Sequence, residues 1–271
     1  MMENLMELIR TRKSVRTYDG VPVKPEHREA LAAFMESIPT PWGITPRFRL
    51  LEAEGYGLKS PVVTGESLYF AAALPRGEHA EEALGYAFEH LVLYAWSLGL
   101  GTVWLGGTLN RDAFHRAIEL APGEFMPCAS PLGYPAKKPA IRDSLMRKGI
   151  KADTRLPFPS LFFAGDFAHP LRQEDAGGLG EPLEAVRLAP SAVNKQPWRA
   201  VVSGDTVHFY VKHDKGLSGD ATGDLQKIDL GIAMCHFCLA AEAGGMRPIL
   251  TLGDPGLDTE AEYRASFRLT P

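Results

Sequence analysis

The chain carries a dense group of cations close to its N-terminus, in the stretch IRTRKSVRTYDGVPV. Four cations fall within seven positions, with Ser14 between them: Arg10, Arg12, Lys13 and Arg16. Most charge runs of this kind are solvated helix ends. The alternative is an anion clamp, because guanidinium forks and a hydroxyl suit a phosphate and tolerate burial under a ligand better than lysine alone.

A second chemically unusual stretch is LAPSAVNKQPWRAVV, residues 188–202. It gathers Ser191, Asn194, Gln196 and Trp198 in a turn between a predicted helix and a predicted strand. A side-chain amide both donates and accepts hydrogen bonds, so two amides beside a hydroxyl are suited to a polar ligand. Its position late in the chain requires an explanation.

The composition is that of an ordinary globular protein of 271 residues, long enough for one large domain or two modest ones. A net charge of −4 lacks the excess positive charge that favours binding to nucleic acid or to an anionic membrane. Cys128, Cys235 and Cys238 cannot form a secreted disulfide framework, and neither a signal peptide nor a spanning apolar run is visible. We therefore expect a cytoplasmic protein whose partner is a small molecule.

Two long apolar stretches, residues 81–100 and 225–245, predict helices buried on all sides. Pro25 opens a helix near the N-terminus, and several strands follow each predicted helix-and-turn unit. AKKPAIRDSLMRKGIK, residues 136–151, is interpreted as a basic, proline-broken loop.

The order of elements occurs twice, which indicates an internal repeat. An offset of 146 places Gly85 on Gly231 and His90 on His236, and an offset of 151 places the segment from Pro39 on that from Pro190. Any two helices rich in alanine, leucine and glycine share some letters, but the matching order favours a tandem duplication. We predict two halves, residues 1–155 and 156–271.

Arg-x-Ser-x-Arg-x-Tyr at the N-terminus resembles the opening motif of the nitroreductase family of FMN-dependent enzymes. Pro-Ser-x-x-Asn-x-Gln-Pro-Trp resembles the second motif of that family, and PLGYPAKKP its C-terminal one. The resemblance covers nearly the whole chain. It implies an α+β fold in which FMN lies between two subunits, one giving the basic motif and the other the Pro-Ser turn.

This sequence departs from the family pattern, because each half has lost one motif. The repeat places Gly43 opposite Asn194 and Thr45 opposite Gln196, so the first half lacks the amides. The second-half counterpart of the basic motif, FFAGDFAHPL, has no lysine or arginine. The resemblance therefore implies a fused pseudo-dimer that is packed around the long buried helices and has one surviving flavin site. Because both halves belong to one chain, a monomer would contain the complete site.

The resemblance also implies roles for individual residues. Arg12, Ser14 and Arg16 would hold the FMN phosphate, with Lys138 and Arg142 closing over it. Lys13 would reach the edge of the isoalloxazine ring. The remaining candidates would contact the ribityl chain and the ring, the two glycines through backbone N–H groups near N5: Ser191, Asn194, Gln196, Gly106 and Gly107.

The expected activity is reduction of a nitroaromatic, quinone or related acceptor by NAD(P)H in a ping-pong cycle. Two alternatives stay open: a flavin-binding or structural relic without turnover, and a specialised flavin enzyme such as a dehalogenase or a flavin-fragmenting oxygenase. No metal site is expected, since the Cys-x-x-Cys pair at Cys235 and Cys238 lies within a buried helix. His90, His236 and the tryptophans are interpreted as packed core residues, with Trp104 the best candidate for ligand contact.

Overall fold

Helices and strands alternate along the chain in the computed structural model, which describes residues 4–138 and 140–271. The α-helices are α1 (Leu5–Thr11), α2 (Pro25–Ser37), α3 (Ala53–Tyr56), α4 (Ala80–Ser97), α5 (Arg111–Ile118), α6 (Ile141–Gly149), α7 (Gly180–Leu188) and α8 (Leu225–Ala243). The strands are β1 (Arg47–Glu52), β2 (Leu68–Pro75), β3 (Gly101–Thr102), β4 (Glu124–Phe125), β5 (Ala129–Gly133), β6 (Phe162–Ala164), β7 (Trp198–Ser203), β8 (Thr206–Val211), β9 (Ser218–Gly219), β10 (Gly223–Asp224), β11 (Arg247–Thr251) and β12 (Glu262–Thr270). Short 3-10 helices cover Phe158–Ser160, Gln173–Asp175, Gly177–Leu179 and Ala192–Asn194.

The strands form a separate sheet in each half of the chain. The first sheet has the order β1-β2-β5-β3, with β4 paired to β2, and its pairs are antiparallel. The second has the order β11-β12-β8-β7-β6, in which only the β6–β7 pair is parallel. A short β9–β10 ribbon precedes α8. This confirms the predicted α+β class.

The long helices α4 and α8 pack against each other and form the centre of the molecule. Both are buried along most of their length, as expected of helices without a polar face. A Cβ on Gly85 would lie 2.1 Å from the Ile228 carbonyl oxygen, and one on Gly231 would lie 2.2 Å from that of Glu82. The offset of 146 relates the two contacts, because Gly85 corresponds to Gly231 and Glu82 corresponds to Ile228. Each half therefore makes the same contact with the other, as in a two-fold interface. The halves thus pack as the predicted pseudo-dimer, while their origin by duplication and the boundary at residue 155 stay predictions.

One predicted element is wrong. Residues 141–149 form α6 rather than a loop, because the stretch Ile141–Gly149 contains no internal proline or glycine and is rich in residues that favour helices. Pro25 does open α2 at its first turn, as predicted. No helix among the described residues combines the length and the apolar character that crossing a membrane requires.

The N-terminal basic motif continues from α1 as an extended segment. Ser14 pairs with Thr102 of β3, and the Val15 N–H donates to the Thr102 carbonyl at 2.8 Å. Further along, Thr17 pairs with Thr64. These backbone bonds fix the motif against the first sheet, while α1 packs on α4, α7 and α8. The motif therefore lies where the two halves meet.

Candidate functional site

A cavity of about 340 Å³ lies where the basic motif, α6 and the second-half turn meet. We call it the cationic cavity, because basic side chains from separate parts of the chain line it together with Ser14, Ser191 and Asn194: Arg10, Arg12, Lys13, Arg147 and Arg155. Its size is at the lower end of the range of about 300–1,000 Å³ that is typical of small-molecule sites.

Two of these guanidinium groups, one buried and one half-buried, are incompletely bonded. The Arg12 side chain is 6% exposed, and its Nε has no hydrogen-bond partner within the described chain. Arg155 donates to the carbonyl oxygens of Ala152 and Leu188 at 2.9 and 3.1 Å, but its Nε is likewise unpartnered there. The nearest acceptor to Arg12 Nε is the Glu89 carboxylate at 3.6 Å, beyond hydrogen-bond distance, and both arginines line the cavity, where an anion would meet their guanidinium groups.

The electrostatics of the cationic cavity also favour an anion. Burial lowers the pKa of Arg12, and the nearby Glu89 only partly offsets that effect. Burial, together with the neighbouring charges of Arg12 and Arg187, lowers the pKa of Arg155 to about 10. Five cations outnumber the one carboxylate that lines the cavity, Asp153, which is paired with Arg147, so a phosphate would supply further counter-charge and acceptor oxygens.

A second cavity, of about 320 Å³, adjoins the first through shared walls at Ser14, Ile150, Pro190 and Ser191. We call it the apolar cavity, because most of its lining is hydrophobic, including Val103, Leu105, Met146, Val193, Leu225, Ile228 and Ile232. The turn Trp104–Gly107 forms one wall, and the polar side chains of Arg16 and Asp229 reach it as well. A flat apolar group with a polar edge fits such a cavity.

Charged residues that the sequence did not single out anchor the 104–107 turn. The Trp104 indole Nε1 donates to a Glu89 carboxylate oxygen at 3.0 Å. The guanidinium of Arg111 donates to the Gly106 carbonyl oxygen, and to that of Met126 at 2.6 Å. Trp104 and Gly106 are thus both held in place. The next residue, Gly107, lines the apolar cavity, and a Cβ on it would contact nothing within 4 Å.

Glu89 connects the two cavities to the second half of the molecule. It is fully buried, and its other carboxylate oxygen lies 3.0 Å from His236 Nε2 and 3.6 Å from Arg12 Nε. His236 Nδ1 donates to the Ala185 carbonyl oxygen at 2.9 Å, since a carbonyl only accepts. His236 is thus a packed, hydrogen-bonded core histidine. Arg12, Trp104 and α8 share one carboxylate.

The amides of the second-half turn bind protein rather than facing open space. Asn194 Nδ2 donates to the Lys151 carbonyl at 2.7 Å, and its Oδ1 accepts from Arg155 at 3.3 Å. Gln196 is buried, and its Oε1 accepts from the Leu156 N–H at 2.8 Å. The turn has positive φ at Val193, Asn194 and Gln196, which is costly for a β-branched valine. Strain of this kind concentrates at functional sites.

The remaining candidates fall in different places. Lys13 lines the cationic cavity, whereas Arg16 lines the apolar one and pairs with Asp143 of α6 at 3.0 Å. Ser191 lines both cavities. Lys138 and Arg142 are exposed and line neither. An outer cavity of about 460 Å³ continues from Lys13 and Ser14 past Lys137, Arg147 and Lys148.

The sequence model of a family described as "Putative TM nitroreductase" matches residues 4–241, most of the chain. The chain belongs to the nitroreductase family. Comparison with the curated proteins gives no match.

Solved structures resemble this nitroreductase-family chain at low sequence identity. A protein from Thermotoga maritima, described as "a putative nitroreductase", has the same fold over 100% of this chain and 96% of its own, with a TM-score of 0.62 and 20% identity. A nitroreductase family protein from Clostridium difficile 630 covers 59% of this chain and 96% of its own, at a TM-score of 0.46 and 21% identity. An FMN-dependent nitroreductase from Clostridium difficile R20291 covers 53% of this chain and 95% of its own, at 0.41 and 18%.

Proposed function

We propose that this nitroreductase-family oxidoreductase binds FMN and uses NAD(P)H to reduce nitroaromatic, quinone or related acceptors. The observation that carries the proposal is the joining of two unlike cavities at Ser14, one lined by basic side chains and one apolar. FMN has the same two parts, a phosphate and a flat ring. The reductant is inferred from the family resemblance, since the chain has no dinucleotide-binding fingerprint.

We assign the phosphate to the cationic cavity, and the basic side chains that line it support this. Arg12 and Arg155 would bind the phosphate through their guanidinium groups, and the Ser14 hydroxyl would add a donor at the junction. Lys13 and Arg147 would contribute charge. Relative to the roles that the motif resemblance implies, Lys13 moves to the phosphate and Arg16 moves to the polar edge of the ring.

The ring would lie in the apolar cavity against the 104–107 turn. FMN itself supplies the hydride chemistry when it is bound. The protein excludes water through the hydrophobic lining, presents backbone N–H groups at the glycine turn, and holds that turn through Glu89 and Arg111. Arg16 would place a positive charge beside the ring, its own position fixed by Asp143.

Comparison of FMN with riboflavin tests the assignment, since only FMN carries the phosphate. Arg12→Ala and Arg155→Ala should each weaken FMN by roughly one to two decades in Kd, because a charge-assisted contact is worth about 1.5–3 kcal/mol, while riboflavin changes little. Arg16→Ala should weaken both ligands alike. Arg172→Ala, exposed in its pair with Asp175, is the control that should change neither. Equal losses for both ligands in the Arg12 and Arg155 variants would move the phosphate elsewhere.

Turnover is tested by adding NADH or NADPH to the flavin-loaded protein without oxygen. Bleaching of the flavin absorbance, followed by its return when a quinone is added, is the expected result. Yellow protein that does not bleach would indicate a flavin-binding protein without this activity. Purified protein that takes up no FMN would contradict the proposal altogether.

A further inference from the structure

Asp229 is a buried carboxyl group with no assigned role. It lies on α8, is 4% exposed, and lines the apolar cavity together with Trp104, Gly106 and Gly107. Both of its carboxyl oxygens lie 3.0 Å from the backbone N–H of Ala192, in the strained turn. The rest of the wall around it is hydrophobic, including its helix neighbours Ile228 and Ile232.

The surroundings of Asp229 favour the neutral acid. No lysine, arginine or histidine of the described chain lies within ion-pair distance of it, and one N–H cannot satisfy an ionised carboxylate. Burial raises its pKa well above the usual range. The other ionisable groups at the cavity do not reverse this: Arg16 is paired with Asp143, the Cys128 thiol is buried, and Asp224 on the same helix adds negative charge.

We propose that Asp229 donates the proton that accompanies two-electron reduction of an acceptor bound beside the flavin ring at the apolar cavity. This inference rests on the proposed function and adds a catalytic residue to it. The acceptor class it implies is one whose oxygen must be protonated as it is reduced, such as a quinone or a nitro group. The carboxyl lines the same cavity as the 104–107 turn, so a group held there is within reach of its O–H.

The step balances for a quinone. Conversion to the hydroquinone takes two electrons and two protons, and the hydride from the reduced flavin brings both electrons and one proton. The second proton comes from Asp229: its O–H bond breaks while the O–H bond of the quinone oxygen forms. The resulting carboxylate then takes a proton from water.

The substitution Asp229→Asn separates a role as proton donor from a purely structural role. Asp229→Asn keeps the size of the side chain and an oxygen that accepts from the Ala192 N–H, so the turn stays bonded. It removes only the transferable proton. Asp224→Asn is a matched control on the same helix, because asparagine also caps helices and Asp224 does not line the apolar cavity.

The experiment reoxidises the NAD(P)H-reduced proteins with two acceptors, a quinone and ferricyanide, which takes electrons without a proton. Asp229→Asn should slow quinone reduction by about 10²-fold or more, the usual range for a general acid, and leave the ferricyanide rate near that of the unchanged protein. Asp224→Asn should leave the ratio of the two rates unchanged. Equal slowing with both acceptors, or a shifted flavin potential, would assign Asp229 to the flavin instead, and no slowing would remove it from the chemistry.

A second measurement needs no flavin. In the apo-protein, Asp229 should give the infrared carbonyl band of a neutral carboxylic acid at pH 7, absent in Asp229→Asn. Because the folded-state pKa is raised, the stabilisation that the buried acid provides is complete below the unfolded pKa and is lost as pH rises. As the pH rises, the denaturation midpoint of the unchanged protein should therefore fall relative to the midpoint of Asp229→Asn.

The two failures can be told apart. A protein that neither takes up FMN nor bleaches would refute the proposed function, and the infrared band would still report the state of Asp229. An active protein whose Asp229→Asn variant keeps the quinone-to-ferricyanide ratio, or whose apo form lacks the acid band, would overturn the proton-donor role alone.

Discussion

At the scale of single residues, the amides of the second-half turn serve the chain itself. Gln196 bonds the Leu156 N–H, and Asn194 bonds Lys151 and Arg155. Together they hold residues 151–156 in place, and that segment carries one of the two incompletely bonded guanidinium groups of the cationic cavity. The turn therefore contributes to anion binding through Arg155, while Ser191 meets both cavities directly.

Gln196→Ala should accordingly lower stability as well as flavin affinity. It leaves the Leu156 N–H without its acceptor, which costs about 1–3 kcal/mol in the free energy of unfolding. The repeat-equivalent Thr45→Ala changes an exposed side chain and should stay within about 0.5 kcal/mol of the unchanged protein, with flavin binding intact. Urea denaturation of the apo-proteins measures both. Loss of FMN affinity in Gln196→Ala at unchanged stability would show that the amide contacts the ligand directly.

The sequence predicted the members of the site that lie within motifs and missed those brought in by folding. Arg12, Ser14 and Ser191, which the motif resemblance singled out, line the cavities, and their contacts with FMN stay predictions. Arg155, Glu89 and Asp229 belong to no motif, and nothing in their spacing relates them to Arg12. Burial gives them their properties, and only the packing of α4 against α8 reveals that burial.

At the scale of elements, α6 is the part of the site whose signal was present but misinterpreted. Asp143, Met146, Arg147 and Ile150 line the cavities at spacings of three, four and seven residues, the pattern of one helix face. The basic composition and Pro139, which lies outside the described residues, favoured a loop. A helix over residues 141–149 places Asp143 and Arg147 on the same face, because they are four residues apart. In the structure this face is turned towards the basic motif, where Asp143 pairs with Arg16.

The contact between α4 and α8 also makes a prediction at this scale. Gly85→Ala and Gly231→Ala would each push a methyl group into a backbone carbonyl of the other helix, at 2.1 and 2.2 Å. Overpacking a core costs about 1–3 kcal/mol, and backbone yields less readily than a side chain, so we expect at least that loss in the free energy of unfolding. Gly77→Ala, with nothing within 4 Å, is the control for the added methyl group.

Both helix variants should lose similar stability, because their contacts are equivalent across the pseudo-two-fold axis. Thermal or urea denaturation of the three variants measures this. If either helix glycine tolerates alanine as well as Gly77 does, the helices are not in the close contact described, and the central packing has to be revised.

At the scale of the whole molecule, two similar halves contribute different motifs to one asymmetric site. The basic motif of the first half and the turn of the second half meet at the cationic cavity. The counterpart pair, residues 39–46 and 162–171, lines none of the three cavities described. Under the predicted duplication, one of two symmetric sites can be lost while the other is kept, because the two halves change independently.

The fused arrangement predicts that flavin binding does not depend on protein concentration. Both walls of the site belong to one chain, so no association step precedes binding, whereas a site between separate subunits empties as the dimer dissociates. Equilibrium dialysis at fixed free FMN, with protein diluted over several decades, should give a constant bound fraction that saturates at one FMN per chain. Sedimentation velocity on the same samples reports the oligomeric state. A bound fraction that falls in step with loss of a dimer would show that a second chain completes the site, and saturation at two would show that the first-half turn binds flavin as well.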